Sequence, residues 1–174
     1  MKTNTKILIE TVPQFPELCF DPCAGQGSIT KGLRGLDCMV SDIDIEWGLN
    51  CPGDATTVQF WEYWADSMRR MPSADCRNWA TVTHPPINLA SQILPLAYEH
   101  SPWGVAFLLR LSDLEPGGDH IDWLKAHADN FRYLISGNPL VSDTREVAWM
   151  VWQRTWSWRS LGIRCPFVFN LGGL

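Results

Sequence analysis

The chain has 174 residues, a mass of 19.7 kDa, a formal net charge of -5 and an isoelectric point near 5.3. Hydrophobic residues make up 45% and charged residues 19%, a globular composition that excludes a disordered chain, and the length predicts one domain over residues 1–174. No apolar run approaches the roughly 20 residues of a bilayer span, and the start, Met1 to Glu10, is too short in apolar residues for a secretory signal, so a cytoplasmic protein with no membrane contact is expected.

In chain order, Glu17 to Asp21 reads as a short buried strand that runs into a turn punctuated by Gly25 and Gly27, and Ser28 to Leu36 as a helix closed at Gly35. Cys38 to Asp42 is a second strand ending in an acid. Thr57 to Met71 carries Phe60, Trp61, Trp64 and Met68 near helical spacing and is stopped by Pro72. Trp79 to Thr83 is a third strand, broken by His84-Pro85-Pro86. Leu89 to His100 returns to a helical pattern, with Pro95 predicting a kink or a break. Gly104 to Leu111 is the clearest buried strand; Ile121 to Ala128 reads as a helix, Tyr133 to Ile135 and Val147 to Trp152 as strands, and Pro166 to Phe169 as an edge strand. Strands alternating with helices predict an α/β fold with a mostly parallel sheet, and the last strands, which lack long helices between them, an antiparallel C-terminal hairpin.

The six cysteines are scattered, with no CxxC pair, and the four histidines do not join them at zinc spacing, so reduced structural thiols and no metal are expected. Most of the ten tryptophans are read as core filler with satisfied indole N–H groups.

Three constellations carry chemistry. In Phe20-Asp21-Pro22-Cys23-Ala24-Gly25-Gln26-Gly27, a strand end, an acid and a Gly-rich turn lead into a helix, where backbone approaches a ligand closely. The turn lacks GxGxxG and Gly-Lys-Ser/Thr, and its acid suits a cationic amino group rather than a phosphate. Asp42, about 20 residues on at a strand end, is placed to accept from ribose hydroxyls; Asp44 and Glu46 leave that register open. Asp54, after Pro52-Gly53, is read either as an acceptor for an adenine amino group or as a plain turn residue. At Thr83-His84-Pro85-Pro86-Ile87, two prolines force the chain out of the sheet rigidly and hold carbonyls toward a substrate.

Taken together, Asp-Pro-Cys-Ala-Gly-Gln-Gly, Ser-Asp-Ile and Thr-His-Pro-Pro-Ile resemble S-adenosylmethionine-dependent DNA amino-methyltransferases of the N6-adenine and N4-cytosine type. Leu108 to Pro116 and Glu146 to Trp152 are similar to the later strands of compact phage- and prophage-encoded members, which would act in a host cytoplasm. The resemblance implies a Rossmann-like class I fold and S-adenosyl-L-methionine as cofactor, held by Asp21, Pro22, Cys23, Ala24, Gly25, Gly27, Asp42, Ile43 and Asp54. It further implies methyl transfer to an exocyclic amine, N6 of DNA adenine first among the candidates, with His84, Pro85, Pro86 and Ile87 at the acceptor. The family carries Asn or Asp, then Pro-Pro, then an aromatic; here His84 and Ile87 depart from that pattern. A neutral imidazole nitrogen still accepts a hydrogen. The same departures also fit a degenerate member that binds cofactor or a protein partner without transferring methyl.

A basic and aromatic stretch, Arg154, Trp156 and Arg159, together with Arg110 and Arg145, forms the candidate nucleic-acid surface, with an amphipathic edge of inward Trp and solvated Arg as the alternative. The tryptophans also offer a docking face for a partner protein or a second copy. Because the chain is acidic overall, any phosphate contact has to be local.

Overall fold

The computed structural model describes residues 5–36, 38–42, 53–70, 78–110, 121–136 and 147–162. Its elements are α1 (Thr5–Thr11), β1 (Leu18–Asp21), α2 (Ser28–Arg34), β2 (Met39–Asp42), α3 (Val58–Arg69), β3 (Trp79–Thr83), α4 (Ala90–His100), β4 (Gly104–Arg110), α5 (Ile121–Ala126), β5 (Phe131–Ser136) and β6 (Val147–Gln153). The strands form one six-stranded sheet in the order β2-β1-β3-β4-β6-β5. β1 pairs in parallel with β2 and β3, β3 pairs in parallel with β4, and β6 runs antiparallel to both of its neighbours. This is the expected α/β class, mostly parallel with an antiparallel C-terminal pair.

Alternation along the strands sorts the core into two layers, because successive side chains leave a strand on opposite faces. Leu18, Phe20, Val105, Phe107, Leu109, Met150 and Trp152 pack beneath α3, α4 and α5. Cys19, Ala80, Val82, Ala106, Leu108, Trp149 and Val151 pack beneath α1 and α2. The central strands are buried on both faces, which is why they read as continuous apolar runs. In α3, Phe60, Trp61, Ala65 and Met68 are buried and the opposite stripe faces water.

Several expectations are corrected. A helix at Thr5–Thr11 was not foreseen: it is only seven residues long, too short to be stable alone, and it is held by burying Leu8 where Gly32 of α2 lets the two helices meet. A side-chain carbon added at Gly32 would fall on the Thr5 hydroxyl. Pro95 does not break α4, which is continuous from Ala90 to His100; the tertiary packing of Ile93, Leu94 and Ala97 outweighs the lost backbone bond. The indole N–H groups of Trp64, Trp79 and Trp152 are buried without a hydrogen-bond partner among the described residues. They sit among rings instead: Trp64 stacks on Phe20 at 5.5 Å, Trp79 meets it edge-on at 6.2 Å, and Trp152 tilts against Phe131 at 4.7 Å. The edge strand expected at 166–169 lies outside the described residues. Among the described residues no helix is long and apolar enough to cross a membrane.

Candidate functional site

Parallel strands deliver the ends of β1, β3 and β4 to one edge of the sheet, and a cavity of about 420 Å³ opens there. Its wall holds Pro22, Cys23 and Gly25 from the turn after β1, Gly53, Asp54 and Ala55 from the turn before α3, His84 to Ile87 after β3, and Arg110 at the end of β4. Phe60, Leu89, Ile93, Leu108 and Leu109 supply an apolar lining. Three stretches that are distant in sequence thus share one concavity, at the sheet end where open α/β folds bind ligands.

The turn after β1 is built by its glycines. Gly25 (φ 50°) and Gly27 (φ 73°) adopt the left-handed conformation that other residues avoid, and the Gly27 N–H closes the turn on the Ala24 carbonyl at 2.7 Å. Asp21 is fully buried below this turn rather than on the cavity wall. Its Oδ1 accepts from the Thr83 hydroxyl at 2.7 Å and the Cys23 N–H at 3.4 Å, and its Oδ2 accepts from the Thr30 hydroxyl at 3.2 Å. These bonds turn the carboxyl group to internal donors and tie β1, α2 and β3 together. Ala24 and Gly27 likewise shape the turn without lining the cavity.

Asp54 builds a turn and also lies on the cavity wall. Its Oδ1 accepts from the Thr56 N–H at 2.8 Å and its carbonyl from the Thr57 hydroxyl at 2.8 Å, an Asx turn that starts α3, while the residue lies exposed on the cavity wall. The indole of Trp61 locks the same turn by donating to the Ala55 carbonyl at 2.8 Å. Asp42 ends β2 opposite Asp21 in the register, so its backbone stands beside the site. Ile43 lies outside the described residues.

After β3, Pro85 is buried while His84, Pro86 and Ile87 are exposed, Ile87 at 50%. The Pro86 carbonyl is committed to the Leu89 N–H at 2.9 Å.

Among the described nucleic-acid candidates, Arg110 is the one that lines the cavity. Arg154, Trp156 and Arg159 follow β6, whose antiparallel course pairs Gln153 with Gly104 at the other end of β4. The length of that strand, about 20 Å, separates them from the site. There Arg154 donates to the Glu99 carbonyl at 2.7 Å and lies 5.8 Å over the Tyr98 ring. Arg159 pairs with Asp129 at 3.0 Å, and the Trp156 carbonyl accepts from Asn130 at 2.7 Å. These bonds fasten the segment to the end of α4 and to residues 129 and 130, just before β5. Arg145 lies outside the described residues. Five tryptophans, at 61, 79, 103, 149 and 152, are interior rather than on a docking face.

Two thiols show how the site's surroundings differ. Cys23 is half-buried on the cavity wall. Cys19 is buried behind it, and the neighbouring Cys38 thiol, then burial, then the nearby charges hold its thiol well above the usual range. Missing from the sequence reading are Gly53, Ala55, Phe60, Leu89, Ile93, Leu108 and Leu109, which line the cavity. The signal for Gly53 was its place before Asp54; the apolar ones read simply as core.

No known family's sequence model matches the chain, and no curated protein matches it. Among solved structures it is similar to the protein-(glutamine-N5) methyltransferase (release factor-specific) from Alicyclobacillus acidocaldarius subsp. acidocaldarius DSM 446. The identity is 18% and the TM-score 0.45, over 84% of this chain and 90% of that one.

Proposed function

We propose that the chain is an S-adenosylmethionine-dependent methyltransferase acting on an exocyclic amine, with N6 of adenine in DNA as the acceptor. One observation carries this reading: the Gly turn after β1, the Gly53-Asp54 turn and the His84-Pro85-Pro86-Ile87 turn line a single cavity. Left-handed glycine backbone, a carboxyl group and an apolar floor suit a cofactor that is cationic at one end and aromatic at the other. Pro22, Cys23, Gly25 and Asp54 would hold it, with Asp42 toward the ribose hydroxyls. When bound, that group supplies an electrophilic methyl.

The chain's own residues do the rest. A neutral His84 imidazole accepts one hydrogen of the target amine and the Pro85 carbonyl the other, keeping the nitrogen lone pair available. The rigid prolines fix both acceptors before substrate arrives, so orientation supplies much of the rate. Ile87 gives the target base a dispersion surface in place of a ring.

Calorimetry with S-adenosylmethionine and S-adenosylhomocysteine, followed by transfer of labelled methyl to adenine-containing DNA, tests the reading. Binding and transfer are expected; binding of neither ligand refutes it. A second reading, a fold that binds cofactor without transfer, is favoured by His84 at the rim position where the resemblance expects Asn or Asp. Transfer by His84→Asn alone, and not by the native chain, would select it.

A further inference from the structure

The cavity has two chemically different ends. Toward β1 it carries the Asp54 carboxyl group; toward β4 it carries Arg110, the one Arg or Lys among the described lining residues. His84 to Ile87 stand between them, because β3 lies between β1 and β4 in the sheet. We propose that Arg110 is a specificity-determining residue that binds a backbone phosphate beside the target nucleotide, an inference that rests on the methyltransferase reading above.

Arg110 is the last residue of β4 and half-buried, so its backbone is fixed by the strand ladder rather than by a surface loop. A guanidinium keeps its charge at any working pH and presents a fork of N–H donors that matches phosphate oxygens. Partial burial protects the pairing from salt better than an open surface does. The chain carries a net charge of -5, so attraction for phosphate has to come from such a local feature. Arg154 and Arg159 do not supply it, since they lie at the opposite end of the sheet. Ile87, Leu108 and Leu109 flank Arg110 and His84 with apolar surface. An apolar floor with a single cation at its rim suits the two parts of a nucleotide, a flat base and a phosphate, better than it suits a peptide amide.

The test starts from protein saturated with S-adenosylhomocysteine. Binding is measured by fluorescence anisotropy for a short single-stranded oligodeoxynucleotide containing one adenine. The same oligonucleotide with neutral methylphosphonate linkages around that adenine, and a labelled glutamine-containing peptide, serve as the comparison arms. The native protein is expected to prefer the charged oligonucleotide on the order of tenfold. Arg110→Gln should erase that preference, Arg110→Lys should keep part of it, and Lys6→Gln, at an exposed side chain of α1, should leave it intact. Circular dichroism of each variant separates lost recognition from lost folding, and Arg110→Lys keeps the test open if Arg110→Gln does not fold. Equal affinity of the native protein for both oligonucleotides, including no affinity for either, overturns the assignment; so does a preference for the peptide, or an Arg110→Gln variant that still discriminates. Failure of the native protein to bind S-adenosylhomocysteine at the outset would instead refute the methyltransferase reading itself.

Discussion

The Thr83 hydroxyl donates to Asp21 Oδ1 at 2.7 Å across 62 residues of sequence. Both residues are fully buried, and each immediately precedes a turn that lines the cavity. The bond therefore sets the spacing between the Gly turn after β1 and the His-Pro-Pro turn after β3. Thr83→Val keeps the size but removes the donor, leaving a buried carboxyl oxygen short of a partner at a cost of about 2 kcal/mol. Urea unfolding should show that loss, and cofactor-product affinity should fall several-fold with it, whereas Thr83→Ser should stay close to the native protein in both. A stability loss with unchanged affinity would show that the bond does not set the site's geometry.

Thiol chemistry should distinguish the two sides of β1. Cys23, on the cavity wall, is accessible to a small alkylating agent, while Cys19 is buried and its thiol is held neutral by Cys38 and by burial. Peptide mapping after brief iodoacetamide treatment should find Cys23 modified and Cys19 unmodified until the chain is unfolded. S-adenosylhomocysteine should slow modification of Cys23. Labelling of Cys23 at the same rate with and without saturating ligand would place the ligand elsewhere.

The same shifts give a sign to alkaline stability. Cys19 and Tyr98 both have folded-state pKa values raised above their ordinary ones, Cys19 through Cys38 and burial, Tyr98 through burial opposed by Arg154. In the unfolded chain these groups lose their protons near pH 8.5 and pH 10 respectively, before they do so in the folded one. Their contribution is thus fully present below those values and lost as pH rises toward the folded pKa of each group. Denaturation midpoints should fall as pH rises past about 8.5, the first part of that fall absent in Cys19→Ala and the part above about pH 10 reduced in Tyr98→Phe. An unchanged slope in both variants would assign the alkaline loss to other groups.

What could be read from sequence and what could not divides along physical lines. β1, β3 and β4 announce themselves as continuous apolar runs because both of their faces are buried, and α3 does so through the helical period of its buried side chains. α1 does not, because its seven residues owe their helix to α2 and to the space at Gly32. The loops that bear Pro22, Cys23, Gly25, Asp54 and His84 to Ile87 were legible as special backbone, and the structure gathers them in one cavity. The place of Asp21 was not, since nothing local shows that the Thr30 and Thr83 hydroxyls face it. Nor was the separation of Arg110 from Arg154 and Arg159, which depends on the antiparallel register of β6, a non-local pairing.

Ile87 offers a direct way to probe the acceptor end. It is 50% exposed on the cavity wall, at the position where the resemblance expects an aromatic ring. A ring there stacks on an unpaired base, and such stacking contributes about 1–3 kcal/mol per base. Ile87→Tyr should therefore lower the KM for an adenine-containing oligonucleotide by tenfold or so, with cofactor affinity unchanged. A variant with raised KM and intact folding would mean that the wall at Ile87 does not meet the base face.

His84 places a titratable ring at the acceptor end of the cavity. An imidazole that accepts a hydrogen bond from the target amine must be neutral, and a protonated ring would donate instead and oppose the reaction. Transfer should therefore be lost as the ring takes up a proton on the acid side and should level off once the ring is neutral. The positive charge of a bound sulfonium favours the neutral ring and should move the acid limb of kcat to lower pH than that of kcat/KM for the cofactor. His84→Asn keeps an acceptor oxygen at the same place but has nothing to titrate there. Its rate should be flat through the acid limb while S-adenosylhomocysteine affinity stays near native, because Pro22, Cys23, Gly25 and Asp54 are untouched. Initial rates measured from acid to mildly alkaline pH decide the matter for both proteins. If the acid limb persists unchanged in His84→Asn, another group is titrating and His84 has no part in accepting the amine hydrogen.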